Sequence, residues 1–247
     1  MTIDPAAFSG ELFRVFRENG LDGYLTGEKA DALTALALDL VETNERFNLT
    51  ALTSPEEIVL KHFADCAALI PHLPDTGEVL DVGCGAGFPS LVLAILCPAL
   101  CVTALDATEK KVRFVRDAAE KLGLSNLTAV AGRAESLALP GSSCRERFDV
   151  VTARAVAPLT LLSELCLPFL SVGGVFLAMK GQAAEREAEE AKRAIPQLGG
   201  ELVKVASRTL SDGVSDPIRH AVVVVEKRRS TPPNFPRPYA RMLKKPL

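Results

Sequence analysis

The sequence predicts an α/β fold: a mostly parallel seven-stranded sheet with helices on both faces, preceded by a small helical extension. Three observations carry this. From about residue 78 onward, short apolar runs alternate with segments of helical spacing. The run at 78–82 leads straight into glycines at 83, 85 and 87, and a helical pattern starts directly behind them. The last two apolar runs have no helical pattern between them, so the sheet is expected to close with a hairpin and an antiparallel edge strand.

The elements follow in order. Residues 1 to about 52 read as helical, with Leu33, Leu36, Ala37, Leu40 and Val41 on one apolar face. Ser54-Pro55-Glu56-Glu57 is a capping box with proline at the first helical position. It predicts a helix to about Ile70, ended by Pro71, Pro74 and Gly77. Strands are expected at 78–82, 101–106, 127–131, 148–153, 174–179, 201–207 and 220–226, and helices near 88–97, 109–122, 157–170 and 183–195. In the second of these helices Val112, Val115, Ala119 and Leu122 point inward, and Gly123 stops it. The chain divides into a helical extension at 1–52, a main domain at 53–228 and a basic tail at 229–247.

A chain of 247 residues buries one full core with room for a small extra element. Met1 to Gly10 carries Asp4 and no basic residue, unlike a secretory signal. The most apolar stretch, Leu91 to Leu105, is broken by Pro98 and is shorter than a membrane span. The six cysteines form no C-x-x-C pair and have no histidine at zinc-ligand spacing, so no metal is expected. They read as reduced thiols packed as small core residues, which fits a cytoplasmic protein. Cys84, inside the glycine turn, reads as a filler rather than a nucleophile.

Charge is unevenly spread. Residues 227–247 hold seven basic side chains and no acid, so the preceding residues carry −10 against a whole-chain net of −3. Prolines 232, 233, 236, 238 and 246 are expected to keep this segment from forming a helix. An extended basic arm suits a phosphate backbone, with Phe235 and Tyr239 available to stack on bases. The other reading is a solvated terminal tail.

The turn reads Asp81-Val82-Gly83-Cys84-Gly85-Ala86-Gly87-Phe88-Pro89. Glycines there let a ligand press against bare backbone, beside the free N–H groups of a helix start. The dinucleotide pattern G-x-G-x-x-G/A is not met, because Phe88 stands where it wants a small residue. Asp106 ends the next strand, where a carboxylate can accept both hydroxyls of a ribose. The turn together with Asp81 and Asp106 resembles the S-adenosylmethionine-dependent methyltransferases. The alternative is a turn used only for packing. Ligands of open α/β sheets bind at the carboxyl ends of strands, where Asp81 to Phe88, Asp106 to Thr108, Arg133 to Glu135, Arg154 and Lys180-Gly181 converge.

A narrower resemblance rests on Asn48-Leu49-Thr50-Ala51, Lys61-His62 with Asp65, the glycine turn, Leu105-Asp106-Ala107-Thr108 with Lys110-Lys111, Gly132-Arg133-Ala134-Glu135, Ala153-Arg154-Ala155, Met179-Lys180-Gly181, Arg219-His220-Ala221-Val222 and the closing Lys244-Lys245-Pro246-Leu247. From about residue 40 onward the chain is similar to the RsmG family, also called glucose-inhibited division protein B. Cys84 stands where that family commonly has serine or threonine and Cys66 where it commonly has serine, and the first forty residues match poorly. The resemblance implies a Rossmann-like class I fold, S-adenosyl-L-methionine as cofactor, and N7 of a guanine in 16S ribosomal RNA, free or in the small ribosomal subunit, as acceptor. It also implies a cytoplasmic enzyme, expected to be a monomer. It assigns cofactor contacts to Gly83, Phe88, Asp106, Ala107, Thr108, Ala134, Glu135 and Arg154. For Phe88, plain core packing is an equal reading.

Guanine N7 has a lone pair and no proton, so transfer needs position and angle rather than a general base. Arg154 is expected to position both cofactor and guanine, since its fork suits guanine O6 or a carboxylate. Asn48, His62 and Lys180 are expected as outer contacts to the nucleotide or its phosphate; a satisfied helix-surface histidine is the other reading of His62. Lys110 and Lys111 face RNA phosphates or simply solvate a helix start. The rival classes are a small-molecule methyltransferase, a non-catalytic RNA-binding module and a nicotinamide oxidoreductase.

Overall fold

The computed structural model describes residues 3–154 and 157–247. Seven strands form one sheet: β1 (Gly77–Val82), β2 (Leu100–Asp106), β3 (Leu127–Ala131), β4 (Phe148–Arg154), β5 (Leu170–Lys180), β6 (Gly200–Leu210) and β7 (Ile218–Lys227). Their order is β3-β2-β1-β4-β5-β7-β6. The pairs β1–β2, β1–β4, β2–β3 and β4–β5 are parallel, while β7 is antiparallel to both its neighbours. The expected hairpin is present. Its antiparallel strand lies one place inside the edge, however, and β6 forms the rim with a register shift between Leu202 and Lys204. The chain order reverses at β1 and β4, and a crevice opens at such a switch point.

Alternate residues of each strand feed two cores, as the strand period requires. Val79, Val102, Ala104, Val150, Leu177 and Val222 face one core, and Leu80, Leu105, Val151, Phe176 and Val223 face the other. The first core is covered by α1 (Pro5–Glu18), α2 (Gly27–Asn44), a helix over 55–67 (α3), α4 (Ser90–Leu96) and α5 (Glu109–Lys121). Past the short α6 (Ala134–Leu137), the second core is covered by α7 (Leu159–Cys166), α8 (Ala184–Ala191), α9 (Ala194–Gln197) and the C-terminal segment. The N-terminal helices are stitched to the far edge of the sheet: the Asn19 amide donates to the Ser211 carbonyl at 2.7 Å and accepts from its N–H at 3.0 Å.

The capping box forms as expected, with the Ser54 hydroxyl accepting the Glu57 N–H. The helix it starts is not regular. Ile58–Ala64 winds as a π-helix before the α-helical turn Asp65–Ala67, and a tight turn follows at Ile70–His72. Hydrophobic spacing does not reveal such a wide turn, yet it carries Lys61 and His62.

The tail departs from expectation. Tyr239–Lys244 forms a helix, α10, directly behind Pro238. Proline ends a helix from inside but is tolerated at its start. The segment is no free basic arm either. Met242 is fully buried and Phe235 nearly so. Arg145 reaches the Thr231 and Phe235 carbonyls at 2.7 and 2.9 Å. Arg237 forms a fork on the buried carboxylate of Glu164. Lys227 is fully buried beside Glu146, and Arg228 pairs with Glu201 and Glu226. Arg241, Lys244 and Lys245 remain exposed. The cysteines also split: Cys66, Cys84 and Cys166 are buried, but Cys101 is exposed on β2.

Candidate active site

The carboxyl end of β1 is a notch of bare backbone. Gly83, Gly85 and Gly87 all have positive φ, at 75°, 58° and 87°. Gly83 and Cys84 donate their N–H groups to the Leu105 carbonyl at 2.7 and 3.0 Å, which ties the turn to β2. The glycines serve different ends. A Cβ on Gly87 would lie 2.4 Å from Leu91 Cδ1, so this position answers to packing. A Cβ on Gly85 would meet nothing within 4 Å and would project into open space, so here the space itself is preserved.

The two acids take different parts. Asp81 is fully buried, accepting the Ser90 N–H at 3.1 Å and the Thr152 hydroxyl at 3.2 Å, and burial pushes its carboxyl up to about 6. It braces β1, β4 and the start of α4. Asp106 reaches the cleft, accepting the Gly85 N–H on one oxygen at 3.0 Å and the Thr108 N–H on the other at 2.8 Å. Each oxygen keeps a lone pair, as two ribose hydroxyls would need. The open Gly85 backbone and this half-satisfied carboxylate fit an adenosyl cofactor.

The notch opens into a cleft of about 980 Å³ whose lining includes Thr50, His62, Gly83, Asp106, Arg154 and Lys180. Side chains distant in sequence form one hydrogen-bonded chain along it. Arg154, at the end of β4, donates through Nη1 to the Lys61 carbonyl at 3.1 Å and lies 3.5 Å from Asp65 Oδ2. Its Nη2 reaches His62 Nδ1 at 3.1 Å, and His62 Nε2 reaches the Thr50 hydroxyl at 3.2 Å. On the other side, Asp65 Oδ1 holds His220 Nδ1 at 2.7 Å. Arginine cannot accept, so His62 Nδ1 carries the lone pair and Nε2 the proton. Burial, with Arg154 adding to it, pushes His62 down to about 3, so the ring is neutral. Phe88 stacks on this imidazole at 4.2 Å, with the Arg154 guanidinium 5.4 Å from its centroid.

Several expected site residues therefore meet: Gly83, Phe88, Asp106, Arg154, His62 and Lys180 line one cleft. His62 is a buried, fully bonded member of the wall, not a surface histidine. Phe88 serves both core and cleft, being nearly buried while forming part of the lining. Lys180 arrives with its charge already engaged, 2.7 Å from Glu187 and donating to the Ala157 carbonyl at 2.6 Å. Ala107 and Thr108 are exposed where β2 passes into α5, and Ala134 and Glu135 are half-buried at the start of α6. Asn48 is exposed and does not line the cleft, while Leu49 and Thr50 do. Lys111 lines it, and Lys110 sits 4.9 Å over the Phe47 ring. Ala155 lies outside the described residues. Burial pushes the Cys84 thiol up, as suits a filler. Sequence reasoning missed Thr50, Asp65, Glu187 and His220 as site residues. Thr50, Asp65 and His220 stood inside quoted motifs, but nothing local shows that Asp65 and His220, 155 positions apart, touch.

Among the described residues, no cluster of three or more His, Cys, Asp or Glu could hold a metal, and no helix is long and apolar enough to cross a membrane. Residues 29–213 match the GidB family, described as rRNA small subunit methyltransferase G. A ribosomal RNA small subunit methyltransferase G of Deinococcus radiodurans is 50% identical over 198 residues, covering 78% of this chain and 76% of its own. The one from Lactobacillus johnsonii is 42% identical over 250 residues, covering 99% of this chain and 100% of its own. Among solved structures, M. jannaschii TYW2 in complex with AdoMet superposes with a TM-score of 0.53 at 16% identity, covering 66% of this chain and 75% of that one, a likeness of fold. The expected resemblance thus stands, and the chain belongs to the GidB family of small-subunit ribosomal RNA methyltransferases.

Proposed function

We propose that this protein transfers the methyl group of S-adenosyl-L-methionine to N7 of a guanine in 16S ribosomal RNA. The cofactor, when bound, supplies an electrophilic methyl. Gly83 and Gly85 would give its methionine end bare backbone, and Asp106 would hold its ribose. Ala107, Thr108, Ala134 and Glu135 would flank the adenosine, with Phe88 and Arg154 at the reacting end.

One observation carries the choice of acceptor. Every carboxylate in the cleft is already engaged: Asp65 by His220, Asp106 by two backbone N–H groups, Glu187 by Lys180 and the Leu159 N–H. The His62 lone pair is bonded to Arg154. The one carboxylate with lone pairs to spare, Asp106, is the one that fits the cofactor's ribose, so the nucleophile that suits the site has no proton to lose. Guanine N7 meets that condition. Three of the five Arg154 N–H positions serve the wall, and its other donors are left for cofactor or guanine. Lys110, Lys111 and Arg219 are the proposed phosphate contacts, with Asn48 at the rim.

The reading extends to a monomer working in the cytoplasm. Mass mapping of small-subunit RNA from cells with and without the protein tests it. A 7-methylguanosine present only with the protein is the expected result; an unchanged map, or labelled methyl passing to metabolites instead, would sink it.

A further inference from the structure

The Thr50 hydroxyl has a fixed hydrogen-bond polarity. It accepts from His62 Nε2–H at 3.2 Å and from the Leu52 N–H at 3.1 Å. The first assignment is imposed by Arg154, which can only donate and so leaves His62 with its proton on Nε2. Both lone pairs of the hydroxyl are then used, and its own hydrogen has no acceptor among the described residues. Thr50 lines the cleft. Its position is pinned as well, because Asn44 Oδ1 accepts the N–H groups of both Leu49 and Thr50, at 2.7 and 2.9 Å.

On its major-groove edge guanine presents two acceptors, N7 and O6, while adenine presents N7 beside an amino donor. If N7 is committed to the methyl, O6 is the acceptor left on that edge. We propose that Thr50, held as an obligate donor by the Arg154–His62 chain, reads O6 of the acceptor base and so selects guanine over adenine. This rests on the reading of the acceptor as guanine. An adenine amino group would meet a hydroxyl with no lone pair to offer, and both donors would go unpaired.

The test uses small-subunit RNA carrying, at the mapped nucleotide, either guanine or 2-aminopurine, which keeps N7 and lacks O6. Single-turnover kcat/KM is measured for wild type, Thr50→Val and Thr50→Ser. Wild type is expected to lose about tenfold on 2-aminopurine, the loss of one such hydrogen bond. Thr50→Val is expected to lose about as much on guanine and to lose little more on 2-aminopurine. Thr50→Ser is expected to keep the wild-type ratio. A wall role alone would slow Thr50→Val equally on both bases and leave the ratio intact, which would overturn the proposal. A wild-type ratio near one would overturn it without any variant. Methyl found on guanine with such a ratio removes this inference alone; methyl found elsewhere removes the guanine reading as well.

Discussion

The imidazole of His62 lies flat on the ring of Phe88, with centroids 4.2 Å apart and planes 6° from parallel. The π-helical turn carries one ring and the turn behind the glycine notch carries the other. The pair joins the wall bearing Arg154 to the notch proposed for the cofactor, and the Arg154 N–H on His62 Nδ1 requires that imidazole to be neutral.

The first expectation concerns that ring. His62 is pushed from its ordinary 6.5 down to about 3, so as pH falls the unfolded chain takes the proton first. Its contribution to stability is complete above 6.5 and is lost as pH falls toward about 3. ¹⁵N spectra of the imidazole at about pH 5 should show a neutral Nε2–H tautomer, where an ordinary histidine is mostly charged. A ring that gains its proton near pH 6 would refute the assignment. In urea titrations, His62→Gln should flatten the acid limb of the stability curve.

Gly85→Ala separates backbone strain from ligand space. Its φ of 58° costs an L-residue about 1–2 kcal/mol, and its Cβ enters the open notch. Gly20→Ala, at φ 65° with nothing within 4 Å, is the control for strain far from the cleft. Both should lower stability alike. Only Gly85→Ala should weaken S-adenosylhomocysteine binding, by about tenfold or more, in calorimetry. Equal affinities in the two variants would return Gly85 to a packing role.

Arg154→Leu removes the donor that sets the wall's polarity. Methyl transfer to small subunits should fall at least about a hundredfold, in the range lost with a positioning or charge-stabilising group. The variant should also release the His62 tautomer, which the same ¹⁵N spectra would register. Near-normal transfer with wild-type cofactor affinity would refute the role.

Arg237→Ala should loosen the C-terminal segment. Glu164 is 1% exposed and would keep an unpaired buried charge, a loss of about 3–5 kcal/mol. Denaturant titration should register it, and limited proteolysis should cut within 231–247 while the sheet resists. Adding Glu164→Gln should restore part of the loss. A tail that stays resistant in Arg237→Ala would show that Phe235 and Met242 suffice to dock it.

Much of the fold was legible because its signals are local. Apolar runs placed every strand, and the glycine turn with Asp106 located the notch. The helix over Tyr239–Lys244 was missed because prolines were read as exclusions when one of them stands just ahead of the helix start. The π-helical Ile58–Ala64 was missed because every residue in it but Lys61 is buried, which leaves no periodicity to tell an α from a π turn. The tail's charges looked free because their partners, such as Glu164 and Glu146, lie far back in the chain.

By itself, then, the sequence determined the α/β alternation, the bare turn at the end of β1 and the acid ending β2, since each follows from backbone preference and side-chain period within a few residues. The tertiary structure alone decided that Thr50, His62, Arg154, Asp65 and His220 form one chain of hydrogen bonds, and that the tail docks on the core through Phe235, Tyr239 and Met242. Such contacts join residues whose separation along the chain carries no periodic signal. They exist only once the sheet has set the end of β4 and the start of β7 beside the helix over 55–67.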